Sequence, residues 1–241
     1  MFRQNYFIVS QAPAMPSLRA AKPIVAAKRP PRRAAKPAPA PPPAAYHHGD
    51  LRAALIAAAE VVLAERGIEG LTLRECARRT GVSHGAPAHH FGDINGLLDA
   101  IGAHAAAKLD ERMAQFLANL PSGASAAARL MATGLGYIDF AVEHAGLFCL
   151  AHRGNGEGKG AGSPAFARLE AALRENMPHL ATLPREALLP QMLMRWSVVH
   201  GFATLVLEGR FDAQRGTLSR RDFAQVLGLV VLEQLRPPGV A

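Results

Sequence analysis

The sequence predicts an all-α fold: an N-terminal three-helix helix-turn-helix domain, joined by a long helix to a larger helical domain. Three observations carry the prediction. Aromatic residues make up only 6% of the chain, while Ala, Leu, Arg and Glu dominate most of it, a mixture that favours helices over strands. Apolar residues recur at helical spacing in nearly every stretch after residue 50. No alternating run long enough for a strand is found, and no internal repeat.

Residues 1–45 stand apart. They hold eight of the 27 basic side chains (Arg3, Arg19, Lys22, Lys28, Arg29, Arg32, Arg33 and Lys36) and none of the 19 acidic ones. They end in Ala38-Pro39-Ala40-Pro41-Pro42-Pro43. Such a segment buries too little apolar surface to offset its ordering entropy, and its prolines favour extended chain, so a disordered basic tail is expected. An Arg-rich, acid-free start has something of a transit peptide, but the tail reading ranks above it, and no secretory signal is recognisable. The net charge of +8 therefore belongs to the tail, and the remainder is formally balanced. Charge alone does not mark a nucleic-acid binder here.

The elements then follow in order. Leu51, Leu55, Ala59 and Val62, with Ile56 and Leu63 beside them, form one helical stripe that stops at Arg66-Gly67. Thr72-Leu73-Arg74-Glu75 has the form of a capping box, so a short second helix is expected to run from there to Thr80-Gly81. Ser83 is expected to cap a third helix ending at His90 or Phe91. Asp93 is expected to cap a fourth, long one through Leu97, Ile101, Leu109, Met113 and Phe116. Further helices are predicted at about 124–145, 146–152, 163–177, 184–209 and 219–236. Glycines at every second position from 154 to 162 predict a loop. Residues 46–108 and 109–241 are read as two domains.

Two short helices joined by Gly81-Val82-Ser83 carry the functional expectation. A tight turn containing glycine lets the second helix enter a DNA major groove while the first crosses the backbone. Between Glu75 and Asp93 there is no acidic residue, while Arg78, Arg79, His84, His89 and His90 are present. Helix N-termini near Thr72, Ser83 and Asp93 offer backbone N–H groups to phosphates. For base reading, His84, Gly85, Ala86 and His89 lie early in the predicted recognition helix, where a histidine donates to guanine and Ala86 meets a thymine methyl. His90 is expected to pack inward and Phe91 to act as an apolar wedge. Arg74 and Arg79 are candidates for phosphate contact.

The segment from Tyr46-His47-His48-Gly49-Asp50-Leu51-Arg52 to Asp99 resembles the tetracycline-repressor (TetR/AcrR) family. The resemblance is carried by Gly67-Ile68-Glu69-Gly70-Leu71-Thr72-Leu73-Arg74, Gly81-Val82-Ser83, His90-Phe91 and Leu97-Leu98. Farther on, the run Tyr137 to Phe148 and Trp196-Ser197-Val198-Val199-His200-Gly201 look like the subgroup with a WHG-type C-terminal domain. The resemblance implies a homodimer that binds a palindromic DNA operator and represses transcription until a small apolar or amphipathic effector binds. It implies no cofactor. Ala88 stands where the family usually has a phosphate-contacting Tyr, and Ile94 where a Lys often touches the backbone. Basic residues of the tail are the expected replacement for those contacts. Pro87 is expected to forfeit one early backbone bond.

In the C-terminal half, Met192, Trp196, Val199, Ala203 and Leu207 lie along one stripe, with His200 beside it. Phe223, Val226, Leu227, Val230 and Val231 mark a second apolar face, and the two suit a symmetric four-helix dimer interface. Tyr137, Phe140, Phe148, Phe166, Met177, Met192, Trp196 and His200 are the candidates for an effector pocket, with plain core as the competing reading.

Other classes are disfavoured. A phosphate-binding loop ending at Lys159 needs Gly at 153 and Ser or Thr at 160, where the chain has Arg153 and Gly160. His84, His89 and His90 do not suit a metal, because adjacent helical positions point about 100° apart. No HExxH, GxSxG or paired-carboxylate arrangement appears, so no catalysis is expected. Gln191–Leu207 is interrupted by Arg195 and His200 and is too polar to span a bilayer. Cys76 and Cys149 form no CxxC pair and are expected to be buried thiols in a reducing cytoplasm. The alternative left open is a helical protein-interaction module with a basic tail.

Overall fold

A computed structural model describes residues 51–152 and 163–235 of the chain. The tail at 1–45, the glycine-rich stretch at 154–162 and the end of the last predicted helix lie outside the described residues. Within them the chain is all-helical: α1 (Leu51–Arg66), α2 (Leu73–Thr80), α3 (Ala86–Phe91), α4 (Ile94–Ala118), α5 (Ala126–Glu143), α6 (Ala145–Ala151), α7 (Pro164–Asn176), α8 (Arg185–Leu207) and α9 (Arg220–Glu233). Among the described residues there is no strand.

Local chemistry explains where the helices begin. Asp93 accepts from the backbone N–H groups of Asn95 (2.8 Å) and Gly96 (3.0 Å), which caps α4 and lowers the Asp93 pKa. Ser125, Ser163 and Ser219 cap α5, α7 and α9 in the same way. The expected cap at Ser83 is not formed. Helix α3 begins three residues later, after Gly85, with no side-chain cap. Pro87 supplies the reason: it falls in the first turn, where its fixed φ suits the start of a helix and no N–H is required. It forfeits no hydrogen bond there, contrary to expectation, and it is buried.

One core runs from α1 through α4 and α5 to α9. It contains Leu55, Val62, Leu97, Ile101, Tyr137, Ile138, Phe140, Phe202 and Leu232. A smaller cluster of Phe166, Leu173, Met177, Leu180, Leu188 and Met192 joins α7 to α8. Helices α4 and α5 approach closely at Gly136, where a Cβ would lie 2.7 Å from Met113 Cα. Only glycine permits that contact of backbone on backbone. Asp139 is buried beside it, and Arg221 grips it with Nε (2.7 Å) and Nη2 (3.1 Å) from α9. Gln225 Nε2 (3.2 Å) and Arg112 Nε (3.4 Å) complete its surroundings. A buried carboxylate so paired ties α4, α5 and α9 together. Cys149 departs from the sequence reading: Cys76 is buried, but Cys149 is exposed on the outer side of α6.

Candidate DNA interface and effector cavity

The helix-turn-helix is built on α2 and α3. Thr72 accepts from the Glu75 N–H at 3.1 Å, which is half of the expected capping box. The return bond is replaced. Glu75 turns its carboxylate to Arg78 (2.8 and 2.7 Å) and to Arg79 Nε (2.9 Å), and these guanidinium groups hold its pKa at about 2. Arg79 also reaches Glu65 on α1, with Nη1 at 3.1 Å. Its side chain is only 17% exposed. Arg79 is thus a clamp between α1 and α2 and cannot reach a phosphate without giving up two carboxylates. That corrects the sequence reading of its position. Arg74 remains exposed on α2.

Gly81 ends α2 in the left-handed region, at φ 71°, and its N–H closes onto the Ala77 carbonyl. The chain then turns through Val82, Ser83 and His84. Ser83, His84 and Gly85 are exposed and precede the helix rather than sitting on it, and Ala86 is its first residue. His89 and His90 follow on the last turn, both exposed. His90 therefore does not pack inward. The wedge is Phe91, half-buried against the core with the Arg52 guanidinium 5.5 Å above its ring. Gly96 lets the α3–α4 joint close, since a Cβ there would fall 1.9 Å from the Phe91 carbonyl oxygen. The joint fixes α3 to the start of α4. No acidic side chain lies between Glu75 and Asp93, so α3 itself carries no charge that would repel a phosphate.

Farther along α4 a cavity opens between α4, α5, α7, α8 and α9. Leu109, Met113, Tyr137, Phe166 and Trp196 supply much of its apolar wall. Tyr137 is the centre of a hydrogen-bonded cluster at one end. Its hydroxyl lies 2.9 Å from His152 Nε2 and 2.8 Å from His200 Nδ1, and Trp196 Nε1 donates to it at 3.1 Å. His152 Nδ1 lies 2.8 Å from the Phe148 carbonyl, which can only accept. Burial lowers the pKa of both histidines and raises that of Tyr137. With both rings neutral, one assignment satisfies every group. His152 Nδ1–H donates to Phe148, Tyr137 O–H donates to His152 Nε2, and Tyr137 Oη accepts from Trp196 and His200.

Of the predicted pocket residues, Tyr137, Phe166 and Trp196 line this cavity. His200 stands behind Tyr137, and Phe148 stacks on His200 at 5.3 Å. Phe140, Phe148, Met177 and Met192 are buried in core and are not on the wall. Residues not anticipated there include His152, Asn176 and Arg195. Arg195 had a signal: it is a cation inside the longest nearly apolar stretch of the chain. Outside the cavity, α8 and α9 expose a band of large apolar side chains. Leu193, Met194, Val198 and Leu205 lie on α8, and Val226, Leu229 and Val230 on α9, with Val226 58% exposed.

Residues 55–101 match the family model described as bacterial regulatory proteins, tetR family, and residues 130–227 match the model for the tetracyclin repressor-like C-terminal domain. The chain belongs to the TetR family. Helices α2 and α3 are therefore a TetR helix-turn-helix, and α5 to α9 correspond to a TetR C-terminal domain. Among individual relatives, the HTH-type transcriptional regulators BetI of Klebsiella pneumoniae (strain 342) and Escherichia coli (strain K12 / DH10B) are each 39% identical over 88 residues. Those matches cover 36% of this chain and 45% of the relatives, less than half of their length. Among solved structures, a protein of unknown function from Rhodococcus sp. RHA1 is 29% identical, with a TM-score of 0.58 over 81% of this chain and all of that one. TetR from Acinetobacter baumannii AYE is 20% identical, with a TM-score of 0.51 over 77% of this chain and 97% of that one, a likeness of fold. No helix among the described residues is long and apolar enough to cross a membrane.

Proposed function

We propose that the chain is a ligand-responsive transcriptional repressor. It binds a palindromic operator as a homodimer through residues 46–108 and is released when a small apolar or amphipathic effector enters the domain at 109–241. The observation that carries this reading is the presentation of α3. Ser83, His84, Gly85, His89 and His90 are exposed on a segment without acidic residues, and Gly96 and Asp93 lock that segment to α4. His84 and His89 read bases, while Thr72, Arg74 and His90 lie toward the backbone.

Two observations support the remainder. Helix α4 carries α3 at its first residue and presents Leu109 and Met113 to the cavity farther along, so a ligand that displaces this wall moves the reading head. Effector and DNA then weaken each other's binding by the same factor. The apolar band of α8 and α9 supplies a self-complementary face, and a two-fold pair sets two reading heads about 34–36 Å apart for adjacent major grooves. The test is selection of DNA from a random library by the full chain. A two-fold-symmetric site should be enriched, and His84→Ala with His89→Ala should lose it. Enrichment of no site would favour a protein-interaction module, and enrichment indifferent to both substitutions would remove His84 and His89 from base reading.

A further inference from the structure

The cavity wall is not purely apolar. Arg195 lines it and is only 4% exposed, and its hydrogen-bond acceptors among the described residues are a side-chain amide and two backbone carbonyls, with no carboxylate. Its Nη1 donates to Gln191 Oε1 (2.6 Å) and the Gln191 carbonyl (3.4 Å), and Nη2 to the Leu235 carbonyl (3.3 Å). Its Nε has no partner. A guanidinium carries five N–H donors, so Nε–H, itself buried, and one Nη2–H are left without a partner. Arg168 uses the same two nitrogens to hold Asp110, at 2.7 and 2.8 Å. That edge matches the two oxygens of a carboxylate. Asn176 lies on the same wall, 5% exposed, with neither Oδ1 nor Nδ2 hydrogen-bonded.

Three unsatisfied polar atoms in an otherwise well-partnered interior call for an explanation. A buried cation without a counter-charge is unfavourable to the empty protein, and burial is the single cause acting on the Arg195 pKa, which it lowers. A negative group beside Arg195 would satisfy its Nε and supply the missing counter-charge. The position is specific, because Leu109, Met113, Phe166 and Trp196 continue the wall as an apolar surface.

We propose that the cavity takes an amphipathic carboxylic acid, its ionised head on the Nε/Nη2 edge of Arg195 and its hydrocarbon part along that apolar surface. Asn176 offers its Nδ2 donors and its Oδ1 acceptor to a further polar group of the ligand. The inference rests on the cavity being the effector site, and it excludes cationic effectors.

Trp196, the one tryptophan of the chain, stands in the wall and reports occupancy by its fluorescence. The full-length protein, free of DNA, is titrated with the saturated carboxylates from hexanoate to dodecanoate, with the alcohols of matched length, and with the matching alkyl-trimethylammonium ions. The acids are expected to bind roughly ten- to a hundredfold more tightly than the alcohols, the gain typical of a charge-assisted pair. The ammonium ions should not bind. Arg195→Met should erase the preference for acid while keeping the alcohol's affinity, and Arg195→Lys should retain part of it. Equal binding of acid and alcohol by the native chain overturns the proposal, as does a preference that survives Arg195→Met. Silence from all three classes overturns the cavity reading along with it. If Arg195→Met does not fold, the native ratio and the lysine variant still decide.

Discussion

Gly136 and Gly134 lie two residues apart inside α5, so replacing either with alanine brings the same gain in helix propensity, about 1 kcal/mol. The surroundings differ. At 136 the new Cβ would stand 2.7 Å from Met113 Cα, with Met113 N and Arg112 O at 3.2 Å. All three are backbone atoms of α4. Carbon–carbon contacts are best at about 3.5–4.0 Å, so α4 would have to retreat by roughly 1 Å. At 134 the Cβ would lie 2.6 Å from Leu232 Cδ2, a methyl at the tip of a side chain that a rotamer change can move. Overpacking against a fixed neighbour costs about 1–3 kcal/mol. For a chain of this size each kcal/mol shifts the thermal midpoint by roughly 2–4 °C. Gly136→Ala is therefore expected to melt about 2–12 °C below Gly134→Ala, followed by far-UV circular dichroism under identical conditions. Because α4 carries α3, operator affinity should also fall further in Gly136→Ala, measured well below both midpoints. Equal midpoints, or a higher one for Gly136→Ala, would refute the α4–α5 contact and the linkage built on it.

Other outcomes follow from the same structure. Glu75 has its pKa lowered from 4.5 to about 2, so the stability it contributes is complete above 4.5 and is lost as pH falls toward 2. Glu75→Gln should therefore unfold more easily than the native chain at neutral pH and match it near pH 2 in urea titrations; a constant gap across that range would count against the arginine cluster. Val226 and Val230 are 58% and 54% exposed, so Val226→Asp with Val230→Asp should leave the single chain folded and yield monomers in sedimentation equilibrium. A persistent dimer would place the interface elsewhere. Cys149 is exposed and Cys76 buried, so a charged thiol reagent should modify one cysteine in the native protein and both after denaturation. Two reactive thiols in the native state would contradict the burial of α2.

The helices were legible because apolar spacing and caps are local. Leu55, Ala59 and Val62 mark α1, and Asp93 marks the start of α4. What escaped the sequence depended on competition or on distance. Thr72 and Glu75 have the spacing of a capping box, yet a bidentate guanidinium is a stronger partner for a carboxylate than a backbone N–H, and Arg78 and Arg79 stand at the right helical offsets to take it. Helix α3 starts late because Pro87 suits a first turn better than a second. Cys149 has apolar neighbours in sequence, but Leu147, Phe148 and Leu150 all turn inward and leave it on the outer side of α6. The cavity draws on five long helices, so no window of sequence contains it. Phe140 and Met192 share residue type with Phe166 and Met113, and only packing separates core from wall. In sequence Arg195, with His200, only interrupts an apolar stretch, and a role beside a cavity needs the neighbours that the fold brings.

The central claim is that the segment after Ser83 faces outward and is presented twice by a symmetric pair. Hydroxyl-radical footprinting of the selected operator tests it most directly. Two equal patches of protection, related by a dyad and centred one helical turn of DNA or a multiple of it apart, are the predicted result. A single protected patch, or protection unchanged after His84→Ala and His89→Ala, would contradict it.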